Sequence, residues 1–329
     1  MAHDVQRRAA FDIGSGATKL YIADVRPVAG TIAEVLFAEE MPVGFSLAWK
    51  RSPDGCLDDA IQTQGLQVLH RFVAECEKHK VQGRCAVATE VFRKAKNGEN
   101  FLARVRDELG LQIRLISQDE EARIGFLTAA AFRGDASLAD IVCWDSGGAS
   151  FQITTPGPAE ALLSYMGPLG TGVAAALCAE AQGRTLAQAE TLNPVTLAVA
   201  EELIRRIQAK LTEPPEWLHR RSVVAIGGPN SMFRICAEHL REQTFDLEAA
   251  RRALREVVGR SDEDLATEFC HWANPEPASL VCPKLALLVG VMEHCRVAEV
   301  RFQPATGSCA GMVVCEELYA ERAPGPAAA

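Results

Sequence analysis

One pattern constrains this chain more than any other, because it occurs twice. Arg8–Ile13 is an apolar run that meets an acid. The chain then reads Asp12-Ile13-Gly14-Ser15-Gly16 and returns through Ala17–Val25. Far downstream, Ile141–Asp145 again leads an apolar run into an acid. The small residues Ser146-Gly147-Gly148-Ala149 follow, and Ser150-Phe151-Gln152-Ile153 alternates back. Each stretch reads as a β-hairpin with an aspartate at its tip. Small residues at such a tip let a ligand approach the backbone, and successive N–H groups can converge on an anion. A carboxylate beside that concavity repels phosphate, so the pairing makes chemical sense when a divalent cation stands between them. Two such hairpins well over a hundred residues apart predict two related half-domains facing one cleft.

The length of 329 residues suits two domains with real cores. An apolar content of 48% and a charged content of 23% are globular values. A net charge of −9 argues against non-specific binding to nucleic acid or to an anionic membrane, so a polyanionic ligand needs a locally positive or metal-bearing site. The 11 cysteines are scattered singly with no CxxC pair, which argues against zinc. Their odd number, with no signal peptide in view, predicts reduced thiols and a cytoplasmic location. The longest apolar run, near Leu285–Met292, is too short to span a bilayer, and the histidines form no HxxxH or HExxH pair.

In chain order, strands are predicted at Arg8–Ile13, Thr18–Val25 and Thr31–Glu40, then a helix over Leu57–His79 and a strand at Arg84–Ala88. The helical stretch that follows is interrupted near Asn97-Gly98 and ends at Gly110. Gln112–Ile116 alternates as a strand, and Asp119–Phe132 is a helix opening on acids that complement its dipole. The second half predicts strands at Ile141–Asp145, Ser150–Thr155, Ala159–Met166, Ser222–Ile226 and Glu299–Phe302. Its helices are Gly170–Ala181, Asn193–Leu211 with Asn193 as N-cap and Pro194 at N1, and one from about Ser231. Asp246–Val258, Asp262–Ala273, Pro283–Cys295 and Gly311–Ala320 complete the set. Each half reads βββ, then α, β, α. The expected division is 1–125, joined by a C-terminal helix at about 305–322, and 126–304, with a disordered tail at 323–329.

This order resembles the superfamily of sugar kinases, actin and the seventy-kilodalton chaperones, built from two ribonuclease-H-like α/β domains around an interdomain cleft. Within it, the motifs resemble the exopolyphosphatase / guanosine pentaphosphate phosphohydrolase family in its short form, over roughly Phe11 to Leu318. The carriers are Asp12-Ile13-Gly14-Ser15, Ala88-Thr89-Glu90-Val91-Phe92-Arg93, Ile116-Ser117-Gln118-Asp119-Glu120-Glu121-Ala122-Arg123, Asp145-Ser146-Gly147-Gly148-Ala149-Ser150 and Ile226-Gly227-Gly228. The resemblance implies roles. Glu121 is the catalytic base that activates water against a terminal phosphorus. Asp12 and Asp145 hold Mg²⁺ or Mn²⁺, and Arg93 grips phosphate. Gly14, Ser15, Gly147, Gly148, Ser150, Gly227 and Gly228 line the phosphate chain. Arg123 orients or pairs with local acids, and Lys19 either leans into the cleft or lies on a wet strand face. The implied ligand is polyphosphate or guanosine penta- or tetraphosphate, and a homodimer stays open.

The chain departs from the family at the site. The family's hairpin glycine and asparagine are Ala149 and Gly16, and its glutamate after the second hairpin is Gln152. Its Gly-Gly-Thr is Gly227-Gly228-Pro229, and proline has no N–H to donate. The segment Gly167–Gly172 lacks the basic residue often found just after it, and the C-terminal motif has lost its acid and arginine in Ala305–Gly311. Two readings stand: a phosphoanhydride hydrolase, or a weakened relative that binds such a ligand as a sensor. A Rossmann dehydrogenase is disfavoured because a strand follows Gly14-Ser15-Gly16, and no P-loop spacing exists. Fold alone leaves a kinase open.

Overall fold

The computed structural model describes residues 5–132, 137–269 and 278–319. The first sheet contains β1 (Gln6–Ile13), β2 (Ala17–Arg26), β3 (Thr31–Pro42), β4 (Gly83–Ala88) and β5 (Arg114–Leu115), in the order β3-β2-β1-β4-β5. β1, β2 and β3 form an antiparallel meander, and β4 and β5 run parallel to β1. The second sheet contains β6 (Cys143–Ser146), β7 (Phe151–Pro156), β8 (Leu162–Gly167), β9 (Ser222–Gly227), β10 (Thr244–Asp246) and β11 (Glu299–Pro304), in the order β10-β11-β9-β6-β7-β8. Apart from the short antiparallel edge β10, this repeats the first sheet strand for strand. Both acid hairpins therefore open a repeat, and the fold is the duplicated ribonuclease-H-like α/β architecture.

The helices are α1 (Phe45–Arg51), α2 (Asp59–Lys78), α3 (Glu90–Lys94), α4 (Gly98–Leu109), α5 (Gln118–Ala131) and α6 (Thr171–Ala181). They continue with α7 (Leu197–Gln208), α8 (Met232–Leu240), α9 (Leu247–Val257), α10 (Asp262–Phe269), α11 (Val281–His294) and α12 (Cys309–Val314). Strand parity decides where the acids go. Ala9, Phe11 and Ile13 join the core beneath α2 and α4, so Ala10 and Asp12 have the opposite parity, and Ala10 packs with α12. Val142, just before β6, and Trp144 within it enter the large core of the second half. Cys143 packs with Phe126 and Ala129 of α5, and Asp145 shares its parity. Both aspartates thus lie on the sheet faces covered by α12 and α5.

Several elements differ from expectation. The break near Asn97-Gly98 is real, because a Cβ at Gly98 would collide with the Phe92 carbonyl where α3 gives way to α4. Gly110 does end α4, at φ +61°. The seven-residue α1 and three-residue β10 were not anticipated, being too short to show a period. The strand expected over Gln112–Ile116 is confined to Arg114–Leu115, at the sheet edge. The helix expected from Asn193 begins at Leu197, capped by Thr196, whose hydroxyl accepts the Val199 N–H at 3.3 Å. The Asn193 side chain is taken elsewhere, donating to Asp262 at 2.8 Å and to the Ala278 carbonyl at 2.9 Å. The Asn193–Pro194 bond is cis. The expected C-terminal helix over Gly311–Ala320 is α12 followed by a 3₁₀ turn at Glu316–Leu318. The end of that helix, residues 270–273 and the tail at 323–329 lie outside the described residues. The apolar run near Leu285 belongs to α11, which is buried from Val281 to Met292 as a central core helix. Among the described residues, no helix is long and apolar enough to cross a membrane.

Candidate active site

The two hairpin tips face one cavity of about 520 Å³. Register sets what stands beside each acid. Asp12 lies opposite Lys19 on β2, and Asp145 lies opposite Gln152 on β7. The same position in the two repeats therefore holds an ammonium in one and a carboxamide in the other. Lys19 is in the cleft rather than on a wet face, with Nζ 3.1 Å from Asp12 Oδ2. Burial opposes its charge, but Asp12 and Glu40 outweigh burial and hold its pKa above the ordinary lysine value. Gln152 is buried, with its carboxamide 3.4 Å from the Ser150 hydroxyl.

Glu121 enters from the first turn of α5, which Ser117 and Glu120 fix as a capping box. Its carboxyl pKa is pushed up to about 8. Burial is the main cause, Arg93 opposes the rise, and Asp12 and Asp145 add to it. Asp145 is also raised by burial and by Asp12, against Lys19 and a Ser308 hydrogen bond. One turn along α5 from Glu121, Gly125 makes room for Asp145, whose Oδ2 lies 3.3 Å from where a Cβ would stand. The Ser308 hydroxyl donates to Asp145 Oδ2 at 3.1 Å and its N–H to Asp12 Oδ2 at 3.5 Å, so one residue ties the two repeats' acids. Gly307 beside it has φ +54°, and a Cβ there would collide with the Asp12 carboxylate and Lys19.

Some expected positions are used differently. The amides of Gly14 and Gly147 donate to the carbonyls of Ala17 and Ser150 at 2.9 Å each, closing the hairpins rather than facing a ligand. Gly148 packs instead on the other tip, with Gly16 N and Ser15 Cβ 3.7 Å from its Cβ position. Gly227 and Gly228 line the cleft at the end of β9, and Gly228 faces the Glu40 carboxylate so closely that a Cβ would collide. Arg93 donates to the Ile116 carbonyl and reaches Glu121 Oε2 at 3.4 Å, so its guanidinium stands against Glu121 rather than open to phosphate. Arg123 pairs with Glu317, outside the cleft lining.

The sequence reading passed over Glu40, Lys50, Asn230 and Lys284, all of which line the cleft. Glu40 is opposite Lys19 in the β2–β3 register, so correct strand pairing would have found it. Lys284 is the one charge in the buried stretch Val281–Met292, a signal visible in the sequence. Its ammonium donates to the Asn230 carbonyl at 2.6 Å.

The donor set at the two aspartates is all oxygen, and the Asp12 carboxylate raises the pKa of both Asp145 and Glu121, which suits a hard divalent cation. Among the described residues no three His, Cys, Asp or Glu side chains could hold a metal alone. A cation here would complete its shell with water and phosphate, as Mg²⁺ commonly does.

Two mixed sheets of repeated order meeting at an acid-lined cleft define a two-lobed ribonuclease-H-like α/β protein. The chain belongs to the Ppx/GppA phosphatase family, whose sequence profile matches residues 21–304. Its fold is similar to that of the Aquifex aeolicus Ppx/GppA protein, at 21% identity and a TM-score of 0.71 over 95% of this chain and 98% of that one. It is also similar to an exopolyphosphatase from Cytophaga hutchinsonii, at 16% identity and a TM-score of 0.72, covering 94% of this chain and 96% of that one.

Proposed function

We propose that this protein is a phosphoanhydride hydrolase that releases terminal phosphate from inorganic polyphosphate or guanosine pentaphosphate. One observation carries the reading: the Glu121 carboxyl is desolvated in the cleft with a pKa raised to about 8, near the pH at which a general base works best. Phosphoanhydride hydrolysis needs an oriented water, a group to take its proton, and positive charge on the phosphoryl oxygens. Glu121 takes the proton. Arg93 holds the Glu121 carboxylate in orientation, Lys19 meets phosphoryl oxygen, and Ser15, Gly148 and Ser150 border the phosphate chain. Asp12 and Asp145 would hold Mg²⁺ or Mn²⁺, which when bound neutralises charge on the phosphates. The packing of α12 with β1, β2 and β4 supports a division near residue 125 in which the C-terminal segment returns to the first lobe. The proposed setting is cytoplasmic.

The sensor reading is favoured by Gln152, which places an amide opposite Asp145. One experiment separates the two: phosphate release from long-chain polyphosphate and from guanosine pentaphosphate with Mg²⁺, by the parent and by Glu121→Gln. Removing a general base costs on the order of 10²–10⁴ in rate, and ligand binding is expected to persist. A variant within a few-fold of an active parent removes Glu121 from the reaction. A parent that binds without turnover establishes the sensor.

A further inference from the structure

We propose that Lys50 is a phosphate-binding residue of this cleft, gripping the part of the ligand that projects between α1 and the start of α6. The inference rests on the phosphoanhydride reading above and adds a residue that its motifs do not contain. α1 is tied to the first hairpin tip. The Ser46 N–H donates to the Ser15 carbonyl at 2.7 Å, and the Val43 N–H to the Gly16 carbonyl at 3.2 Å. One turn further, Lys50 lines both the main cleft and a side pocket of about 50 Å³ that it shares with Ser15, Ala149 and Val173. Its Nζ lies 3.1 Å from where a Cβ on Gly172 would stand, so the side chain reaches across from the first lobe to the second hairpin's neighbour.

Among the described residues Lys50 makes no hydrogen bond or ion pair; Glu90, which attracts it, is paired with Lys94 through Oε1. Of the other cations around the cleft, Lys19 is engaged by Asp12, Arg93 by Glu121, and Lys284 by the Asn230 carbonyl, while Arg51, next along α1, is exposed. Lys50 is exposed as a residue, but its ammonium stands at the cleft wall, where burial pushes its pKa down, with Glu90 opposing and Lys94 adding to the fall. An anion arriving in the cleft opposes that fall. The segment Gly167–Gly172 carries no basic residue of its own, and the Lys50 ammonium stands against its end.

The test is titration calorimetry with tripolyphosphate in the presence of Mg²⁺, together with steady-state hydrolysis of the same probe. Lys50→Met is expected to weaken binding about ten- to a hundred-fold, the scale of a charge-assisted hydrogen bond, and to raise KM more than it lowers kcat. Lys50→Arg should stay within a few-fold of the parent. Adding Val173→Arg to Lys50→Met puts a cation into the same side pocket from α6 and should recover most of the loss. Equal binding by the parent and Lys50→Met overturns the inference and leaves the proposed hydrolysis standing. Equal losses in Lys50→Met and Lys50→Arg assign the effect to packing and also overturn it. A parent that neither binds nor hydrolyses tripolyphosphate overturns the inference together with the reading it rests on.

Discussion

Glu121 shows how much of a side chain's chemistry comes from where it is put. As the fourth residue after the N-cap it would ordinarily be a stabilised anion, because acids in a first helical turn are favoured by the dipole. Burial and the two neighbouring aspartates reverse that and raise its pKa to about 8. The sign of the pH dependence follows. Only the ionised carboxylate accepts a proton, so kcat/KM should rise about tenfold per unit as pH increases toward 8 and level off above it. In kcat, measured with substrate and cation bound, the midpoint should move lower, since added positive charge favours the carboxylate. A pH–rate profile of kcat/KM with its midpoint between 4 and 5, the ordinary glutamate range, would show that Glu121 is not the group being titrated. The same logic explains Gln152. Opposite an Asp145 already raised by burial and by Asp12, a neutral amide avoids one more enclosed negative charge.

At the scale of elements, α5 carries the site and α12 holds α5 in place. Gly311 sits where the two helices cross, its N–H donating to the Thr128 hydroxyl at 2.8 Å. A Cβ there would collide with the Ile124 carbonyl and come within 2.7 Å of the Thr128 amide. Those are backbone atoms of α5, so a rotamer change cannot relieve the clash. Gly311→Ala should therefore destabilise the fold by about 1–3 kcal/mol, the usual cost of overpacking, read as a lower denaturant midpoint at unchanged slope. Because Ile124 is one turn from Glu121 and next to Gly125, the same substitution should lower turnover. A variant with the parent's denaturation midpoint would show that α12 yields easily and does not set the position of α5.

Over the whole molecule, charge balance governs what can enter. The cleft lining contains Asp12, Glu40, Glu90, Glu121, Asp145 and Glu190 against Lys19, Lys50, Arg51 and Lys284, within a chain of net charge −9. A polyphosphate meeting that lining is repelled unless positive charge accompanies it. Removal of divalent metal by exhaustive chelation should abolish phosphate release, and Mg²⁺ or Mn²⁺ should restore it. Full turnover in chelator would mean that Lys19 and Lys50 suffice as the site's positive charge. Duplication of the sheet gives each lobe one acid hairpin, and the cleft exists because the two hairpins meet.

The repeated hairpins, their aspartates and the βββαβα plan were readable from the chain alone, because alternation of period two and small turn residues act over a few neighbouring positions. The family motifs were readable for the same reason. What the linear order could not contain was anything set by contact between distant segments. Asn193 looked like a helix cap but is bound to Asp262 and the Ala278 carbonyl, and α1 is held by the backbone of the Ser15-Gly16 turn. Arg93 turned to Glu121, and the Gly14 and Gly147 amides closed their own hairpins. The proton affinity of Glu121 and the unpaired charge of Lys50 belong to the tertiary structure outright. Desolvation depends on which atoms pack around a group, and those atoms come from both halves of the chain.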